Sequence, residues 1–142
     1  MSAELSFVDT SILVYAHDET AGEKHDRARR IMRELWDERT GCLSMQVLQE
    51  FFVTVTRKIP KPLDVAAARQ VIGDLTTWRV HAPGKADVLT AIDCHQSQQL
   101  SFWDALIVCS AASLGCQVLY SEDLNAGQRY QGILVANPLR TD

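Results

Sequence analysis

No stretch of this chain approaches the ~18–20 consecutive apolar residues that a bilayer-spanning helix needs, so no membrane span is expected. No basic segment leads into an apolar run near Met1, where Glu4 and Asp9 stand instead, and a secretory signal is not expected either. The cysteines Cys42, Cys94, Cys109 and Cys116 form no C-x-x-C pair and have no histidine at zinc-finger spacing. That pattern speaks against a zinc ribbon or a disulfide scaffold and leaves reduced core thiols. Positive charge is not in excess: the formal net charge is −4, unlike a generic, strongly basic nucleic-acid binder. Repeats, low-complexity tracts and linkers are also missing, which leaves one domain over residues 1–142. A cytoplasmic protein is the expectation.

What is present reads as alternating strands and helices. Apolar residues make up 46% of the 142 and charged residues 23%, enough for one sizeable core. Residues 7–9 end a short buried strand, with a turn or helix from Thr10. Ala28, Ile31, Met32, Leu35 and Trp36 recur at helical spacing and predict an amphipathic helix over 25–39. A brief strand at 41–43 runs into a helix striped by Val47, Leu48, Phe51, Phe52 and Val55 and stopped by Pro60 and Pro62. Helices are expected over 63–75, 85–99 and 102–114, the last ended by Gly115. Strands are expected at 77–83 and 116–121, with a last one over 131–138. This alternation implies an α/β fold with a parallel sheet covered by helices on both faces. In such sheets ligands bind beyond the carboxyl ends of the strands, where Asp9, Glu122 and Asp123 fall.

The acids are the unusual feature. In "LSFVDTSILVYA" the only charge is Asp9, and in "SFWDALIVCSA" it is Asp104. A carboxylate in buried chain is costly without a cap, a partner or a cation. Each acid has an ordinary role open to it. Asp9 can cap the helix from Thr10, Ser101 and Asp104 fit a capping box, Asp123 can cap a turn at 124–126, and Glu50 can be a solvated residue at the margin of its helix. Taken together they stand at the end of strand one, in the next helix, at a later helix start and after a later strand. Carboxylates gathered at one sheet edge repel one another and call for a cation. Oxygen ligands without Cys or His suit Mg²⁺ or Mn²⁺. Two basic groups, Lys24, Arg27, Arg29, Arg30 and Arg33, then Arg57, Lys58 and Lys61, read either as solvated faces or as a phosphate-tracking edge.

The blocks "FVDTSILVYA", "LQEF", "SFWDALIVCSA" and "LYSEDLN", followed by "NPL", resemble the PIN-domain ribonucleases, particularly the VapC-type toxins. The resemblance covers most of the chain, in the family's order. It implies a three-layer sandwich around a short parallel sheet and Mg²⁺- or Mn²⁺-dependent cleavage of single-stranded or loop RNA. It implies Asp9, Asp104 and Asp123 as metal ligands, with Glu50 orienting water or a second metal. Thr10 and Ser11 match hydroxyl residues beside the first acid, and Ser121 stands where the family more often has Thr. The products implied carry 5′-phosphate and 3′-hydroxyl ends. A homodimer neutralised by a small antitoxin protein is implied as well. No catalytic His is expected, since His17, His25, His81 and His95 lie outside these blocks. The alternatives are a catalytically silent PIN-like module that binds RNA or protein, a haloacid-dehalogenase-like phosphatase, and a receiver domain. Against the phosphatase, "DTS" replaces its D-x-D; against the receiver, "NPL" supplies no lysine.

Overall fold

The computed structural model describes residues 4–140. Its strands are short: β1 (Ser6–Val8), β2 (Gly41–Ser44), β3 (Arg79–His81), β4 (Val118–Tyr120), β5 (Arg129–Tyr130) and β6 (Ile133–Ala136). Between them run α1 (Thr10–His17), α2 (Glu23–Glu38), α3 (Met45–Arg57), α4 (Val65–Leu75), α5 (Lys85–Gln98) and α6 (Phe102–Ser113), with a 3₁₀ turn at Glu19–Ala21. β1 and β2 are buried along their whole length, as strands covered on both faces must be.

Local chemistry starts several of the helices. Ser44 Oγ accepts from Val47 N at 3.3 Å, Asp64 Oδ1 from Ala67 N at 2.7 Å and Ser101 Oγ from Asp104 N at 3.1 Å. These side chains meet backbone N–H groups that a helix start leaves unpaired. At Gly41 a Cβ would run into the Trp78 ring, so any larger residue there would have to displace the indole. The core joins Phe7, Ile12, Leu13, Leu43, Phe51, Ile107 and Leu119, from both groups of helices and the central strands. All four cysteines are free and buried, as thiols of a core.

The sheet order is β3-β2-β1-β4-β6-β5. The chain first builds outward from β1 through β2 to β3, then returns to lay β4 on the other side of β1. The switch point therefore lies between β1 and β4, where such folds open a crevice. The strand expected over 131–138 is β6. The sheet departs from the expected all-parallel arrangement at one edge, where β5, which no expectation covered, pairs antiparallel with β6. The turn between them uses Gln131 and Gly132, both at positive φ (52° and 80°), the geometry that suits a two-residue hairpin.

Candidate active site

Register places the first acid. Val8 pairs with Tyr120 across β1 and β4, so the next residues, Asp9 and Ser121, emerge side by side at the switch point. Asp9 N donates to Tyr120 O at 2.9 Å. The Asp9 side chain caps α1, Oδ1 accepting from Thr10 N at 2.7 Å, while Oδ2 accepts from Ser121 Oγ at 2.7 Å. Ser121 is fully buried, and its oxygen also accepts from Asp123 N (3.1 Å) and Leu124 N (3.3 Å). One hydroxyl thus ties the first acid to the loop that carries the last. A serine beside an acidic pair does not show this in sequence; it needs the β1–β4 pairing.

Glu50 comes from α3 and is held across the cleft by α1, where Thr10 Oγ1 donates to its Oε1 at 2.7 Å. Asp104 sits in the first turn of α6. The Ser101 half of the capping box is formed, so Asp104 occupies a capped helix start while lining the cleft. Asp9, Thr10, Ser11, Glu50, Asp104 and Asp123 all line this cleft of about 760 Å³. Ser121 supports Asp9 from behind it.

Sequence reasoning passed over Asp18, Gln46 and Trp103, which line the same cleft. Glu122, expected at this sheet edge, lines it too and accepts from Tyr15 Oη at 2.9 Å and Lys24 Nζ at 2.6 Å. Lys58 completes the wall. Of the two basic groups only Lys58 lines the cleft. Arg27 is taken up by Glu23 at 2.9 Å and the Arg140 carbonyl, and Arg29, Arg30 and Arg33 border a separate shallow groove with Asp26. None of the four histidines lines the cleft.

The electrostatics are those of an uncompensated acid cluster. Asp9, only 4% exposed, has its pKa pushed up to about 6, chiefly by burial. The Ser121 and Thr10 hydrogen bonds oppose the rise, and the Asp123 and Asp104 charges add to it. Asp123 is also raised, by partial burial first and then by Asp104, Glu122 and Glu50. Among the described residues no three His, Cys, Asp or Glu side chains are already drawn together as a metal-holding group. The donors nevertheless suit a hard cation: they are carboxylate oxygens, the neighbouring charges add to the rise at Asp9 and Asp123, and the ion pair described at the site, from Lys24, goes to Glu122.

The family model for the PIN domain matches residues 6–130. This chain belongs to the PIN domain family. Among solved structures it is similar to Mycobacterium tuberculosis VapC20, described as a sarcin-ricin loop cleaving toxin, with 25% identity over 83% of this chain and 89% of that one and a TM-score of 0.65. A toxin–antitoxin complex from Klebsiella pneumoniae matches 94% of this chain and 97% of its own at 15% identity, TM-score 0.70. DNA-bound VapBC from Salmonella typhimurium matches 96% and 99% at 16% identity, TM-score 0.64. Comparison with curated protein sequences gives no match. The phosphatase and receiver alternatives fall with the family assignment.

Proposed function

We propose that the chain is an endoribonuclease, the toxin of a toxin–antitoxin pair, that hydrolyses phosphodiester bonds of single-stranded or loop RNA with Mg²⁺ or Mn²⁺. The observation that carries this reading is the meeting of Asp9, Glu50, Asp104 and Asp123, from four separate elements, in one cleft at the switch point. A lone cap would need no such company. Asp9, Asp104 and Asp123 would hold the cation. When bound, the cation supplies a water of lowered pKa and offsets charge on the phosphoryl oxygens. Ser121 and the Thr10 N–H fix the Asp9 carboxylate in one rotamer. Glu50, steadied by Thr10, accepts a hydrogen bond from the attacking water and orients it. Lys58 gives the wall a positive group for a flanking phosphate.

The partners follow from the same reading. Neighbours of the fold are solved with antitoxins, and a small antitoxin covering this cleft, on a homodimer of this chain, is the arrangement we propose. No described helix is long and apolar enough to cross a membrane; RNA as substrate and buried free thiols support a cytoplasmic location. Incubation with generic RNA and Mn²⁺, with and without chelator, tests the activity. Cleavage that survives EDTA, or that proceeds equally in Asp9→Asn, would overturn it.

A further inference from the structure

The residue before Asp104 is a tryptophan with 61% of its surface exposed, on the wall of the acidic cleft. An indole left in water at that point is unusual, since large aromatic groups gain most by burial. Its backbone is held in place, and its exposed ring keeps freedom to move. Trp103 and Asp104 share the first turn of α6, and the Phe102 ring meets the indole edge-on with centroids 5.1 Å apart. From α3, Gln46 Nε2 donates to the Trp103 carbonyl at 3.3 Å.

Gln46 supplies a second, independent observation. It is 7% exposed, and its Oε1 is buried with no hydrogen-bond partner. The amide cannot simply be turned over, because the backbone carbonyl of Trp103 can only accept. An acceptor is therefore left unmatched beside an exposed aromatic face. Gln49, Thr54 and Lys58 line the same cleft together with Val14, Val53, Ile59 and Ile107, so the indole stands on a wall that mixes hydrogen-bonding and apolar side chains. That mixture suits a flat ring with a polar edge better than the apolar face of a protein partner.

We propose that Trp103 and Gln46 form a nucleobase subsite. The indole stacks a base of the strand whose phosphate lies at the acids, and Gln46 Oε1 accepts an N–H from that base's edge as the indole shifts to meet it. This rests on the ribonuclease reading and names how the same cleft grips its substrate. Stacking provides affinity for any base, and the glutamine acceptor favours a base that offers a donor there.

The test is equilibrium binding of short labelled single-stranded RNA in EDTA at low salt, so that nothing is cut. Trp103→Ala should weaken binding by about tenfold to a hundredfold, and Trp103→Phe by less. An oligonucleotide series with one abasic residue at each position in turn should show one position where wild type loses affinity and Trp103→Ala does not. Gln46→Leu should change the base preference at that position alone. Equal binding by wild type and a folded Trp103→Ala, or abasic losses identical in both, overturns the proposal. So does a variant that changes only self-association in sedimentation, which would make Trp103 a protein contact. Wild type that neither binds nor cuts RNA would sink the ribonuclease reading itself. Wild type that cuts RNA, with Trp103→Ala binding normally, would remove the subsite and leave that reading intact.

Discussion

Helix α1 has a buried aspartate at each end, and the two illustrate opposite uses of the same group. Asp18, 8% exposed, follows α1; its Oδ1 accepts from Thr20 N at 3.0 Å and Thr20 Oγ1 at 2.6 Å, two partners in its own turn. Asp9, 4% exposed, precedes α1 and also makes two hydrogen bonds, but one comes from Ser121, 112 residues away. Asp9 further bears the charges of Asp104 and Asp123. Capping is thus common to both ends and both acids line the same cleft; Asp9 differs in its hydrogen bond from distant Ser121 and in the acid charges beside it. A cap and a functional ligand are not exclusive roles, because one carboxylate has lone pairs for both.

The largest expected difference between the two ends is in activity. Asp9→Asn keeps the shape and removes the charge of a proposed ligand, and cleavage of RNA in Mn²⁺ should fall by about a hundredfold or more. Asp18→Asn should leave cleavage at the wild-type order of magnitude. Parallel rate measurements on the two variants check this, and comparable losses would erase the distinction.

Next in size is pH dependence without metal. Between its ordinary pKa of 3.8 and about 6, the folded protein keeps the Asp9 proton while the unfolded chain has lost it. The stability Asp9 contributes is full below the lower value and disappears as pH rises through about 6. Over that interval the change is roughly 3 kcal/mol. Thermal melts in EDTA should therefore show wild type losing stability from pH 5 to pH 8 by more than Asp9→Asn, and saturating Mg²⁺ should flatten the difference by binding the ionised form.

Asp104→Asn should have a smaller effect of mixed origin. Losing a charge in the first turn of α6 costs ~0.3–1 kcal/mol, whereas relief of repulsion with Asp9 and Asp123 returns on the order of 1–2 kcal/mol. Its melting temperature in EDTA should rise slightly above wild type, and Mg²⁺ should stabilise it less. A variant less stable than wild type in EDTA, with an equal gain from Mg²⁺, would make Asp104 a cap like Asp18. Smallest is Asp18→Ala, which should cost about 1 kcal/mol, a few degrees in melting temperature.

Much of the fold could be read from patterning. The stripes of α2 and α3, the buried runs of β1 and β2 and the breaks at Pro60 and Gly115 carry their own signals. The β5–β6 hairpin was missed because its strands are too short to show a period, although Gln131-Gly132 marks the turn. The four acids of the motifs were visible as residues out of keeping with their apolar surroundings. Asp18 was not, because it sits in a polar turn, and the apolar neighbours of Trp103 in sequence carry no sign of its exposure.

The amino-acid order by itself determined which residues cap, which are buried and which acids stand where burial is costly, because these follow from one residue and its near neighbours. Only the tertiary structure decided that β4 returns beside β1, so that Ser121 reaches Asp9, that Thr10 reaches Glu50, and that Lys58 rather than Arg27 enters the cleft. Those contacts join residues as many as 112 positions apart, and no local preference encodes them; they exist because the sheet buries its apolar strands in one order.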